Sequence, residues 1–173
     1  MTEPSGVRTP EDPRVAWRYW RLRPGPNRLQ SVSQRRVVWQ PGTPLQAVCL
    51  GDPHPAPDPR CACGVYGASD LEALRNHSLC LSPGPLVIGG AALWGLVLAD
   101  SDGLRARFGY PRRLWLVSDT VEDAERQAVL DDLAAYGVPV GQMPLIEAVG
   151  EVSTAIMGFL AMSAPERSQP ATG

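Results

Sequence analysis

The sequence predicts an α+β fold, in which a mostly antiparallel sheet carries helices from the C-terminal third of the chain. Short apolar runs separated by Pro- and Gly-rich turns fill the first two thirds, as expected of antiparallel strands. The last third instead repeats apolar residues at every third or fourth position, which is the period of a helix. A length of 173 residues with 44% hydrophobic residues suits one folded domain and excludes collagen-like, coiled-coil and wholly disordered chains.

The domain boundaries follow from where the apolar pattern begins and ends. Residues 1–13 are polar and proline-rich, and residues 164–173 are polar without an apolar period. Such segments bury too little apolar surface to offset the entropy of ordering them. We therefore predict a single α+β domain over residues 14–163 between two flexible tails.

The first predicted elements are two strands that pair as a hairpin. Near-alternation over residues 15–23 places Val15, Trp17 and Tyr19 on one face of the first strand. The Pro-Gly-Pro-Asn sequence at residues 24–27 ends it, and residues 29–39 form the second strand. The Pro- and Asp-rich segment 49–63 is predicted to be a long loop, which in a compact domain usually has a functional role.

A short helix and further hairpins are predicted to follow this loop. Ser69 or Asp70 can cap a helix over about residues 69–77. Residues 86–88 and 92–98 are predicted strands, and a turn at residues 100–103 returns the chain as a strand over residues 104–110. Residues 114–117 form one more short apolar run.

The last third is predicted to contain two helices. Side-chain oxygens at residues 118–120 can cap a helix over residues 121–136, which Gly137 ends. A short edge strand at residues 138–140 precedes a helix over residues 145–162. One apolar stripe of this final helix is formed by Leu145, Ala148, Val149, Val152, Ile156, Phe159 and Leu160.

Cys49, His54, Cys61 and Cys63 are the residues most informative about function. Together they supply three thiolates and one imidazole within fifteen residues, which is a complete tetrahedral ligand set for zinc. A closed set of this kind leaves no coordination position for a substrate, so it predicts a structural site. Gly64 follows the last cysteine and would let the backbone turn closely around the ion.

Three alternatives use the same residues. An iron–sulfur cluster could take these ligands, although their spacing is not a recognised cluster pattern. Independent cysteines would be small buried hydrophobes. A nucleophilic or redox thiol at Cys61 or Cys63 could use His54 as its base, with Asp58 orienting the imidazole. His77 and Cys80 lie outside this set, at a predicted helix end where they could meet each other.

Two segments carry a resemblance to known proteins. The run from His54 to Tyr66 reads HPAPDPRCACGVY, and residues 89–97 read GGAALWGLV. Over about residues 15–140 the chain resembles a group of small bacterial proteins, chiefly actinobacterial, that have no established activity. The resemblance implies no catalytic residue, and it supports treating the Cys/His segment as one unit.

Familiar catalytic motifs are absent from the sequence. It contains no P-loop, no G-x-G-x-x-G, no H-E-x-x-H and no G-x-S-x-G. The carboxylates at residues 100 and 102 are explained by a turn, and those at residues 122–125 by the first turn of a helix. The sequence therefore leaves the catalytic residues unknown and the question of an enzyme open.

The expected partners follow from charge and from the final helix. All 16 basic residues are Arg and the formal net charge is −2, which disfavours nucleic acid and anionic membranes. Residues 1–46 do hold 8 Arg against 3 acidic residues, interleaved with aromatics, but alternation in a strand would turn the rings to the core. The final helix has more apolar surface than one packed face needs, which predicts a protein partner or a homo-oligomer, with core packing as the alternative.

The compartment is predicted from targeting signals and cysteine usage. The first thirty residues lack the apolar core of a signal peptide, and the longest apolar stretch, residues 152–162, is about half the roughly 20 residues of a membrane span. We therefore expect a cytoplasmic protein, in which cysteines serve as ligands, redox groups or buried thiols. The leading hypothesis is a zinc-stabilised binding or adaptor module, and the alternative is a thiol-dependent enzyme or a redox or iron–sulfur sensor.

Overall fold

Two long strands form the centre of the sheet and position the other elements. In the computed structural model, which describes residues 10–34 and 36–163, these strands are β6 (Leu86–Ala99) and β7 (Gly103–Val117), joined by a tight turn. The sequence predicts three shorter strands and a separate apolar run here. The pairing instead continues through register shifts between Gly90 and Ala91 and between Trp94 and Val97. Irregularities of this kind bend a strand without ending its ladder.

The predicted α+β class is confirmed. Within the described residues, eight strands form one mixed sheet, antiparallel except where the last strand runs parallel to β7. The remaining elements are β1 (Arg14–Arg23), β2 (Arg28–Ser31), β3 (Val38–Trp39), β4 (Leu45–Gln46), β5 (Val65–Ala68), α1 (Leu71–Asn76), α2 (Asp123–Ala134), β8 (Val140–Met143), α3 (Leu145–Val149) and α4 (Glu151–Ser163). The helix predicted at residues 69–77 is α1, and Asp70 caps it by accepting a hydrogen bond from the Ala73 amide at 2.8 Å.

Four of the strands form a closed circuit of pairings. Strand β1 pairs with β6, β6 with β7, β7 with β5, and β5 returns to β1 at Trp17 and Ala68. Strands β2 and β5 both pair with the edge of β1 that faces away from β6. Strand β5 pairs there at Trp17, and β2 pairs only from Trp20 onward. Arg18 and Tyr19 therefore lie between the ends of β2 and β5.

The predicted N-terminal hairpin exists but is shorter than expected. Strand β2 ends at Ser31, and the second half of the predicted strand forms the separate two-residue β3. The predicted face of β1 holds for Trp17 and Tyr19, which pack in the same buried cluster, whereas Val15 at the start of the strand is 45% exposed. Ala16 and Trp20 belong to a second buried cluster, so the residues of β1 alternate between two covered faces.

The final helix is not continuous as predicted. Gly150 adopts a positive φ of 82° and separates α3 from α4. The break rotates the second helix, so that Ser153 and Met157 are its buried residues. The whole predicted stripe beyond Gly150 is exposed as a result, namely Val152, Ile156, Phe159 and Leu160. The strand predicted at residues 138–140 begins instead at Val140.

Helices cover the sheet through two buried clusters. One cluster joins Val129 and Leu133 of α2 to Trp20 and Trp39. The other joins Ala148 of α3 and Met157 of α4 to strand residues that include Ile88. This arrangement fits the expectation that helices of the C-terminal third pack on the sheet. Within the described residues, no helix has both the length and the apolar character to cross a membrane.

The tails predicted at residues 1–13 and 164–173 stay predictions. The second tail and residues 1–9 of the first lie outside the described residues, as does Arg35 of the basic N-terminal segment.

Candidate metal centre

The long loop that carries the Cys/His residues begins and ends on neighbouring residues of one strand. After β4, the Ala47 amide donates to the carbonyl of Arg107 at 2.8 Å. At the other end, Val65 opens β5 opposite Ala106. Strand β7 thus brings the two ends of residues 47–64 together, and no helix or strand interrupts this segment, as predicted. Only Ala56 and Pro57 are buried within it, so it contains little apolar material to order it.

The four predicted ligand residues converge at this loop. One ligand atom from each of Cys49, His54, Cys61 and Cys63 lies within 4.8 Å of all the others, so the group could hold a metal ion. The Sγ atoms of Cys49 and Cys61 are 3.7 Å apart. Two thiolates bound to one tetrahedral zinc at about 2.3 Å each would be separated by about 3.8 Å. The spacing within the group therefore matches a tetrahedral thiolate site.

Local hydrogen bonds prepare two of these residues for binding a cation. Nδ1 of His54 lies 3.1 Å from the carbonyl oxygen of Pro55. A carbonyl only accepts, so Nδ1 carries the hydrogen and the neutral ring keeps its lone pair on Nε2. Backbone amides of Asp52 and Gly51 lower the pKa of Cys49 to about 7, which favours the metal-binding thiolate at neutral pH.

Arg105 anchors the half of the loop that contains Cys61 and Cys63. Its side chain is nearly buried on β7, and its Nη1 lies 2.5 Å from the Cys61 carbonyl oxygen, 2.9 Å from that of Cys63 and 3.3 Å from that of Asp58. Its Nε forms a 2.6 Å ion pair with Asp100. Partners behind the ligands fix their orientation and tune metal affinity. The sequence does not identify Arg105 as a functional residue, because an arginine that holds a loop looks like any other polar residue of an alternating strand.

The backbone at Gly64 lies close to neighbouring side chains in a conformation that favours glycine, as its position after Cys63 predicted. Its φ is 133°, and a Cβ placed there would lie 3.0 Å from the Cβ of Arg105 and 3.2 Å from that of Pro57. Any other residue would combine a disfavoured backbone conformation with crowding against the anchor of the loop.

We expect Gly64→Ala to lower the free energy of unfolding by about 1–3 kcal/mol and to weaken metal retention. Gly51→Ala is the matched control, because Gly51 is in the same loop with nothing within 4 Å of its Cβ position. Urea unfolding and zinc content of the two variants check this. Equal unfolding free energies and equal zinc contents in the two variants would contradict a special role for Gly64.

A second polar cluster lies beside α1. Nε2 of His77 is 2.7 Å from Oδ2 of Asp102, and the Tyr66 hydroxyl donates to Oδ1 of the same carboxylate at 3.1 Å. These two hydrogen bonds lower the pKa of Asp102, that from His77 contributing most. The turn explanation for Asp102 was thus incomplete. Exposed Cys80 follows in a short 3₁₀ turn and is outside the Cys/His group.

In the described part of the interleaved Arg and aromatic segment, the tryptophan rings pack against other parts of the fold. Trp20 is fully buried, and Trp17 stacks on Trp115 with ring centroids 5.6 Å apart. The guanidinium of Arg18 lies over the Trp39 ring. This arrangement fits the expectation that the rings belong to the interior.

Comparison of the chain with family models, with curated proteins and with solved structures found no match. The resemblance to the actinobacterial group therefore stays a prediction.

Proposed function

We propose that the protein is a zinc-stabilised binding or adaptor module. The observation that carries this proposal is the convergence of three thiols and one imidazole within 4.8 Å, on a loop that buries little else. Zinc favours this donor set, and a filled set of four leaves no position for a substrate. Metal binding would supply the ordering free energy that apolar burial does not.

The partner surface of this module would be the outer part of the same loop. Val48 and Leu50 flank Cys49 and are 68% and 76% exposed. Tyr66, which follows the cysteines closely, is less suited to this role, since its hydroxyl is already bonded to Asp102. Two apolar side chains held beside a metal ligand form a small, rigid contact for a protein partner.

Elemental analysis and the ultraviolet–visible spectrum of freshly purified protein test the proposal. We expect about one zinc per chain, a colourless sample and a lower melting temperature after chelation. Visible absorption with iron would indicate a cluster instead. Metal-free protein with rapid labelling of Cys61 or Cys63 would favour the thiol-dependent enzyme or redox sensor.

Helix α4 presents a second apolar surface, which bears on the predicted homo-oligomer. Val152 is 69% exposed, Phe159 70% and Met162 88%. Core packing and an interface with another chain are compatible for this helix. Ser153 and Met157 pack inward, while Val152, Phe159 and Met162 are exposed.

We expect Phe159→Arg to shift the sedimentation coefficient towards that of a monomer, because a charge in an apolar interface is left without a partner. Glu151→Arg places the same charge at an exposed polar position of α4 and should leave assembly unchanged. A wild-type chain that sediments as a monomer at all concentrations tested would contradict the homo-oligomer.

A further inference from the structure

Arg18 fills the gap that β2 and β5 leave along the edge of β1. Its Nη1 donates to the carbonyl oxygen of Tyr66 on β5, and its Nη2 donates to Oγ of Ser31 on β2 at 3.1 Å. The guanidinium carbon lies 5.1 Å from the centre of the Trp39 ring. The cation is therefore held between two strands and an aromatic face.

The charge of Arg18 is not balanced by an acidic side chain. None of the ion pairs found among residues 10–34 and 36–163 includes Arg18, and its buried Nε has no hydrogen-bond partner there. Burial lowers the pKa of this guanidinium to about 10. Buried cations in proteins are normally paired, as Arg105 is with Asp100. An unpaired buried cation lowers the stability of the fold unless an anion from outside the chain pairs with it.

A cavity of about 260 Å³ opens against Arg18. Its walls are mainly apolar and aromatic, formed by Trp17, Tyr19, Val32, Leu74 and Leu81. This is the composition of a small-molecule site, which combines an apolar lining with a few polar groups that fix orientation. The volume suits one aromatic ring or a short acyl chain rather than a larger ligand.

The polar residues at this cavity do not oppose an anion. His77 and Tyr66 both line it, and both bond to the Asp102 carboxylate. Ser33 and Cys80 add neutral groups. Arg18 is therefore the group in the lining best suited to pair with a negative charge.

We propose that this cavity binds a small carboxylate with an apolar body, with the carboxylate paired to the Arg18 guanidinium and the body packed against Trp17, Leu74 and Leu81. The proposal is independent of the metal centre, because none of the Cys/His ligands lines the cavity.

Calorimetric titration of the full-length, metal-loaded protein tests the proposal. The probes are 4-phenylbutyrate and octanoate, each compared with its uncharged alcohol. We expect at least one carboxylate to bind saturably and its alcohol to bind about tenfold more weakly, as the loss of one charge-assisted hydrogen bond predicts. Amide chemical shifts should change around β1 and α1.

Arg18→Gln removes the charge while keeping a polar amide at the position, and should weaken carboxylate binding by about tenfold or more. Arg14→Gln, at an exposed position of the same strand, is the control and should bind as wild type does. If Arg18→Gln does not fold, Ser33→Asp provides the test. It adds a negative charge to the cavity from an exposed loop position and should weaken carboxylate binding similarly.

Three results would overturn the proposal. They are absence of saturable binding for both carboxylates, equal affinity for carboxylate and alcohol, and undiminished carboxylate binding in the folded Arg18 or Ser33 variant.

Discussion

Replacing Cys61 with serine is expected to abolish metal binding at the candidate centre and to lower the melting temperature together. The Cys61 Sγ lies 3.7 Å from that of Cys49 and belongs to the four-residue ligand group, so its loss leaves an incomplete set. A metal present at 100 to 1,000 times its Kd stabilises a fold by about 3–4 kcal/mol, which corresponds to roughly 10 °C in a domain of this size. Zinc content and a thermal melt measure both effects.

Cys80→Ser is the control for this experiment, because the Cys80 thiol is exposed and outside the group. It should keep both the metal and the melting temperature. Chelator should lower the melting temperature of the wild type to that of Cys61→Ser, and should have little further effect on the variant. Retention of one zinc per chain in Cys61→Ser would exclude Cys61 as a required ligand.

Removing the guanidinium of Arg105 will weaken metal binding without touching a ligand. Arg105→Met keeps the length of the side chain but leaves the carbonyls of Asp58, Cys61 and Cys63 without their donor. We expect a 10- to 100-fold loss of metal affinity, about the usual effect of a group that supports metal ligands. The free energy of unfolding should fall by about 3 kcal/mol, because buried partners lose a charged hydrogen bond.

Competition with a chromophoric chelator measures the affinity, and urea unfolding measures the stability. Arg112→Met is the matched control, since Arg112 is exposed on the same strand. A folded Arg105→Met that binds zinc as tightly as Arg112→Met would show that Arg105 stabilises the sheet and not the metal centre.

The candidate ligands could be predicted from sequence because their chemistry and proximity are local. Cys49, His54, Cys61 and Cys63 lie within fifteen residues, and a loop that short keeps them near one another in most conformations. The α1 cap at Asp70 and the irregular loop were predictable for the same reason, since capping and proline effects act over a few residues.

Features that depend on distant residues could not be predicted in this way. Arg105 meets Cys61 across 44 positions, and Arg18 meets Tyr66 across 48. The sequence showed both arginines only as polar positions of strands. Their roles arise from the closed pairing circuit of β1, β6, β7 and β5, which periodicity cannot reveal.

Helix α4 likewise combines a feature that local sequence predicts with one that depends on tertiary packing. The period of three to four residues correctly predicted helix, but the exposed and buried sides were exchanged over much of its length once Gly150 broke the axis. The sequence by itself therefore determined the fold class, several local elements and the candidate metal ligands, because each depends on short-range sterics or donor chemistry. The tertiary structure decided which residues support the candidate metal centre, which charge stays unpaired and which helix face is exposed, because packing across the sheet selects among locally equivalent side chains.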